Sequence, residues 1–211
     1  ALIVMPITTP AIKVDSVKNY GGKVLLYGDT FDEAFDYATS LAKKDGFTFI
    51  HPYDDQDVIV GQGTVGKELF DEIGSSIDAV FVPVGGGGLL AGLGTYLKSV
   101  SPNTKIIGVE PEDAACLKLA LENNKRLALK EVGLFADGVA VKQIGKKTFS
   151  LIKDWIDDVV TVSVDEMCAS VQDTFQETRI MSEPAGALAL AGLKKYVQSR
   201  GIKNKKLVAI N

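Results

Sequence analysis

The stretch Ala79-Val-Phe-Val-Pro-Val-Gly-Gly-Gly-Gly-Leu-Leu-Ala-Gly92 decides how the rest of the chain is read. Its first six residues are apolar, and a short apolar run bounded by glycine reads as a buried strand. Four glycines, Gly85 to Gly88, break the strand. A helical segment follows from Leu89 to about Ser99. Strand, glycine loop and helix in that order build an anion socket: bare backbone N–H groups and the positive end of a helix dipole converge on one point. Glycines let the backbone approach a guest closely and adopt φ > 0. The natural guest is a phosphate group.

Outward from this stretch, apolar strands alternate with amphipathic helices. Strands are predicted near Leu2–Met5, Lys23–Tyr27, Thr48–His51, Ala79–Val84, Lys105–Glu110, Val159–Val164 and Leu207–Ile210. Helices are predicted near Ala11–Tyr20, Phe31–Lys44, Val58–Ile73, Leu89–Ser99, Asp113–Asn123, Ile144–Trp155, Asp165–Arg179 and Pro184–Arg200. Gly21-Gly22 closes the first helix, Asp29-Thr30 caps the second, and Asp165 and Ser182 are caps for later ones. Strand–helix alternation means an α/β fold, a parallel sheet with helices on both faces, and such sheets bind ligands at the carboxyl ends of their strands. A boundary falls near His51-Pro-Tyr-Asp-Asp55. Lys125–Val141 is the least regular segment and reads as a loop lining something.

Bulk properties narrow the function classes. A net charge of −4 over 211 residues argues against a general nucleic-acid binder. No apolar run approaches the roughly 20 residues of a membrane helix. Cys116 and Cys168 form no C-x-x-C pair and no disulfide framework, so both are expected reduced, in an intracellular protein. The lone histidine, His51, rules against a His-based metal site or a Ser-His-Asp triad and reads as structural. The chain begins and ends in strand-like runs, which suggests a piece of a longer chain.

Three readings of the glycine run compete. A plain tight turn is disfavoured, because four glycines in a row are entropically costly. A dinucleotide site has support: Gly86-x-Gly88-x-x-Ala91 matches G-x-G-x-x-A, and Glu110 ends the next strand roughly 20 residues on, where a ribose-binding acid would sit. A site for one terminal phosphate, such as that of pyridoxal 5′-phosphate (PLP), suits a compact nest of N–H groups equally well. Residue chemistry alone leaves the last two open.

The run Val82-Pro-Val-Gly-Gly-Gly-Gly-Leu89 resembles the phosphate loop of the fold-type II PLP-dependent enzymes. His51-Pro-Tyr-Asp-Asp55, Gly61-Gln-Gly-Thr64, Ile107-Gly-Val-Glu-Pro111, Phe135-Ala-Asp-Gly-Val-Ala140 and Ser182-Glu-Pro-Ala-Gly-Ala187 are similar to segments of the serine/threonine dehydratases within that class. Val132–Val141 looks most like the biosynthetic, threonine-deaminating branch. The resemblance covers almost the whole chain, with its motifs in the family's order.

The resemblance implies a tryptophan synthase β-like architecture: residues 1–55 as part of a small α/β domain and 56–211 as most of a large PLP-binding domain. It implies PLP as cofactor, an amino-acid substrate, and deamination of threonine to 2-oxobutanoate and ammonia, with serine giving pyruvate. Gly85, Gly86, Gly87, Gly88 and Leu89 would hold the phosphate. Gly138 would lie along the cofactor ring, and Glu183 near ring and substrate; the alternative for Glu183 is a helix N-terminal acid. Asp137 would shape its loop. The family's Schiff-base lysine lies in Ser-x-Lys-x-Arg-Gly, which does not occur here; Lys67, Lys98 and Lys142 read as surface lysines. The catalytic lysine is therefore expected before Ala1, and residues 1–211 alone are expected not to deaminate threonine; the rival reading is a non-catalytic remnant that keeps a phosphate pocket. In related serine racemases the position of Glu110 ligates a divalent cation, but Cys116 replaces the acid expected beside it, a poor ligand for a hard ion. A monovalent ion on Glu110 and backbone carbonyls stays open; the favoured reading of Glu110 is a strand-end acid facing solvent or a helix N-terminus. The family forms dimers and tetramers, and the compartment expected is cytoplasm, plastid or mitochondrion.

Overall fold

Leu2–Met5 (β1) and Lys23–Leu26 (β2) pair in parallel, with Leu2 opposite Lys23 and Met5 opposite Leu26. Parallel neighbours need a crossover, and Ala11–Asn19 (α1) supplies it. Phe31–Asp45 (α2) begins with a reciprocal cap. The Thr30 hydroxyl accepts from the Glu33 amide at 3.3 Å, and the Glu33 carboxylate accepts from the Thr30 amide at 3.0 Å. Gly46, at φ +73°, ends the helix in the left-handed conformation. The computed structural model describes residues 1–211, which divide into Ala1–Ile50 and His51–Asn211.

The strand expected at Thr48–His51 does not form. Neither strand of the two-stranded sheet pairs with that run. It passes as irregular chain instead, with the Phe49 ring edge-on to Phe35 at 5.4 Å.

In His51–Asn211 the elements are Gln56–Ile73 (α3), Ala79–Pro83 (β3), Gly88–Val100 (α4), Lys105–Pro111 (β4), Cys116–Glu122 (α5), Lys146–Ile152 (α6), Asp158–Val162 (β5), Val164–Thr178 (α7), Pro184–Arg200 (α8) and Leu207–Ala209 (β6). Four strands form one parallel sheet in the order β5-β4-β3-β6. Strand residues alternate between two cores. Val80, Val82, Val84 and Ile106 join Leu90, Leu93, Leu97 and Leu117 on one face. Phe81, Ile107 and Val109 join Met167, Leu188 and Tyr196 on the other. Burial on both faces explains why β3 reads as an unbroken apolar run rather than an alternating one.

Two helices are shorter than expected. The run from Asp113 splits into a 3₁₀ turn, Glu112–Ala114, and α5; the run from Ile144 condenses to α6. Two caps also move. Ser163, not Asp165, caps α7, its hydroxyl accepting from the Glu166 amide at 3.2 Å. Glu183, not Ser182, is the N-cap residue of α8, followed by Pro184.

Candidate functional site

The glycine loop lies where β3 leaves the sheet. The Val84 amide still donates to Val109 at 2.9 Å, and then the chain turns. Gly87 takes φ +89° as the N-cap residue of α4, a conformation that glycine adopts without strain. The amides of Gly85, Gly86, Gly87, Gly88 and Leu89 donate to no acceptor within the chain. The carbonyls do the opposite. Gly85 accepts from the Cys116 thiol at 3.4 Å. Gly86 accepts from the Gly145 amide at 3.2 Å and the Thr148 hydroxyl at 2.8 Å. Gly87 accepts from the Ala91 amide at 2.8 Å.

This asymmetry makes the socket. In a trans peptide the carbonyl of one residue and the amide of the next point in opposite directions within one plane. Tying the carbonyls of Gly85, Gly86 and Gly87 into the protein turns the amides of Gly86, Gly87 and Gly88 the other way. They join the Leu89 amide at the positive end of the 13-residue helix α4. No acidic side chain occupies the first turn of α4.

Each glycine also has a packing reason. A Cβ on Gly85 would lie 3.0 Å from Val139 Cα, and one on Gly86 would lie 2.3 Å from ring atoms of Tyr53. A Cβ on Gly87 would meet Ile144 at 2.7 Å, and one on Gly88 would meet Tyr53 at 3.0 Å. Tyr53 is seated by its neighbours: the amides of Tyr53 and Asp54 donate to His51 Nδ1 at 3.3 and 2.9 Å. Burial lowers the His51 pKa despite Asp54 and Asp55 nearby, which keeps that nitrogen an acceptor. The Asp54 carboxylate caps α6, accepting from the amides of Lys146, Lys147 and Thr148 at 2.9, 2.7 and 3.2 Å. Residue chemistry in the sequence marked His51–Asp55 only as a boundary and carried no signal for Gly145 or Thr148.

The Asp137–Val139 turn packs on this loop through Val139. A Cβ on Gly138 would lie 3.0 Å from Ala185 Cβ and 3.2 Å from Glu183 Oε1. Gly138 and Glu183 are therefore neighbours, and Val139, the residue after Gly138, packs against Gly85. Glu183 is a helix N-terminal residue as well, with its carbonyl accepting from the Ala187 amide at 3.0 Å. Lys67 and Lys98 are engaged elsewhere, Lys67 with Asp71 and Lys98 with Asp157 and the Thr104 carbonyl.

Glu110 does not face solvent. It is wholly buried, with Oε1 accepting from the Leu117 amide at 2.7 Å and Oε2 from the Lys118 amide at 2.9 Å. Burial pushes its pKa up to about 7 against the opposing pull of those amides. Wholly buried and turned to the amides of α5, Glu110 is out of reach of a ribose, and the dinucleotide reading loses its acid. What remains is a nest of unpaired amides without an acid beside it, the donor set for one compact dianion. The loop fits the phosphate of PLP.

Residues 1–211 match the family described as pyridoxal-phosphate dependent enzyme over their whole length. The chain belongs to that family. Within it, the chain is 55% identical over 210 residues to the biosynthetic, chloroplastic threonine dehydratase 1 of Solanum lycopersicum, covering 100% of this chain and 35% of that protein. It is 50% identical over 210 residues to the biosynthetic L-threonine dehydratase of Escherichia coli, covering 41% of it. The processed form of threonine deaminase isoform 2 from Solanum lycopersicum superposes with a TM-score of 0.94 at 50% identity, across 100% of this chain and 58% of that one. A serine racemase from Dictyostelium discoideum superposes at 0.84 with 31% identity, across 99% and 66%. The chain thus spans between a third and a half of the curated relatives. A PLP-dependent family of this fold, with relatives named for threonine deamination, leaves the dinucleotide reading, and the NAD-dependent oxidoreductase it would have meant, without support.

Proposed function

We propose that the protein carrying this chain is a PLP-dependent threonine ammonia-lyase, converting L-threonine to 2-oxobutanoate and ammonia in the first step of isoleucine biosynthesis and acting also on serine. The observation that carries this reading is the outward-facing set of amides from Gly85 to Leu89, in a chain about half identical to biosynthetic threonine dehydratases.

In this reading each residue has a role. The amides of Gly85, Gly86, Gly87, Gly88 and Leu89 hold the phosphate dianion, and the α4 dipole adds to its stabilisation. Gly138 keeps one wall of the site flat, since any side chain there would press on Ala185 and Glu183. Glu183 sets a carboxylate, a proton acceptor, against that wall. Bound PLP supplies the electron sink for loss of the α-proton and departure of the β-hydroxyl. Residues 56–211 serve as the cofactor-binding body and residues 1–55 as part of a smaller domain. An oligomer of identical chains, in cytoplasm or inside an organelle, goes with this reading.

The test is the full-length protein with PLP and L-threonine. Stoichiometric 2-oxobutanoate and ammonia are expected, with loss of turnover when pyridoxal replaces PLP. A protein that saturates with PLP yet forms neither product from threonine or serine would overturn the assignment.

A further inference from the structure

Of the three pinned carbonyls in the glycine loop, two are held by backbone amides, at Gly86 and Gly87. The third, at Gly85, is held by one side chain only, the thiol of Cys116 at 3.4 Å. Cys116 has no exposed surface and is the first residue of α5. The next two residues are fixed to β4, because Glu110 accepts from the amides of both Leu117 and Lys118. Glu110 thereby clamps the backbone from which the Cys116 side chain projects; its carboxylate is a second acceptor near the single thiol hydrogen, which the bond geometry gives to the Gly85 carbonyl. Burial and that carboxylate push the thiol pKa far up, so the group stays protonated and remains a donor.

We propose that Cys116 is a positioning residue for the anion socket: its thiol, seated by Glu110, pins the Gly85 carbonyl and through the planar peptide aims the Gly86 amide at the phosphate. The proposal rests on the reading that PLP phosphate binds this loop. The thiol makes no contact with a guest; it sets the direction of a donor that does. A serine at 116 would keep a donor at the same place. A valine, close in volume, would leave the Gly85 carbonyl without a partner and its peptide free to tilt.

The experiment uses the full-length protein, Cys116→Ser and Cys116→Val, each titrated with PLP and with pyridoxal, and each followed by phosphorus NMR of the bound phosphate. Loss of one modest hydrogen bond predicts that Cys116→Val weakens PLP binding about tenfold and shifts the phosphate resonance. Cys116→Ser is expected within about threefold of the parent with its resonance in place. Pyridoxal, which lacks the phosphate, should bind all three alike. Equal PLP affinity and resonance in Cys116→Val and the parent overturn the proposal, as does equal weakening by Ser and Val. A parent protein that binds pyridoxal as tightly as PLP overturns instead the phosphate reading beneath it. A second measurement isolates the thiol by difference. The infrared S–H stretching band lost on going from the parent to Cys116→Ser should lie at the frequency of a hydrogen-bonded thiol, and a lost band at the free-thiol frequency refutes the contact.

Discussion

The Thr148 hydroxyl donates to the Gly86 carbonyl at 2.8 Å, across 62 residues of chain, and both groups are buried. The bond couples the first turn of α6 to the loop between β3 and α4. Replacing Thr148 by valine keeps the shape and removes the donor. The Gly145 amide would still hold Gly86, so the loop should loosen rather than collapse. We expect Thr148→Val to lose about 1–2 kcal/mol in urea unfolding, with PLP affinity falling alongside, and Thr148→Ser to lose less than half of that. Valine and serine variants of equal stability and affinity would show that the hydroxyl contributes nothing.

Glu110 gives the protein a pH signature. In the unfolded chain it titrates near 4.5, and in the folded protein at about 7. Between those values the folded state binds the proton more tightly, so the protonated carboxyl favours folding. That contribution is complete below about pH 4.5, declines as pH rises towards 7, and is gone above it. The decline is at most about 3 kcal/mol. Urea unfolding of the parent and Glu110→Gln at intervals from pH 4.5 to 8 isolates it, since His51 contributes equally to both. The parent should lose stability relative to the glutamine variant as pH rises. A difference that stays constant with pH would place the Glu110 pKa at its ordinary value.

Much of this site could be read before folding, for identifiable reasons. The glycine run announces itself because a strand, a break and a helix differ in local chemistry, and local chemistry is what a sequence displays. Six of seven strands and all eight helices formed where periodicity placed them, while Thr48–His51 failed because a strand exists only if another lies beside it. Glu110 was half legible. It does sit at a helix N-terminus, accepting from the first-turn amides of α5, but it does not face solvent, because the turn Glu112–Ala114 folds the head of α5 back over it. Tyr53, Gly145, Thr148 and Cys116 act on the loop from up to 62 residues away; nothing local marks Gly145 or Thr148, and what singles out Tyr53 and Cys116 in the sequence does not point to the glycine run.

Helices α3 and α4 touch backbone to backbone at Gly92. A Cβ there would lie 2.2 Å from the Ile59 carbonyl oxygen and 2.7 Å from the Gly63 amide nitrogen. Gly92→Ala should therefore cost roughly 3 kcal/mol or more, because helices rather than a flexible side chain must move apart. Gly61, on α3, has nothing within 4 Å of its Cβ position. Gly61→Ala should raise stability by about 0.5–1 kcal/mol through helix propensity and reduced unfolded-chain entropy. Denaturant midpoints of the two variants should move in opposite directions. A shift of the same sign in both would mean the helix contact is looser than the structure shows.

The glycine at 86 answers two demands, space for Tyr53 and close approach of a guest, and the two can be separated. Gly86→Ala alone drives a methyl to 2.3 Å from the Tyr53 ring, so the ring must leave or the loop must shift. We expect a loss of about 1–3 kcal/mol, the range for an overpacked buried contact. Adding Tyr53→Ala makes room. If Tyr53 is the whole reason for the glycine, the double variant should unfold like Tyr53→Ala alone and bind PLP like it too. If the guest also needs a bare backbone, stability should return while PLP affinity stays low. The second outcome is the one expected, because the amide of Gly86 is left unpaired beside the start of α4, where a phosphate would have to come within hydrogen-bonding distance. Recovery of both properties together would assign the glycine to packing alone, with the amide at 86 still free to serve the phosphate.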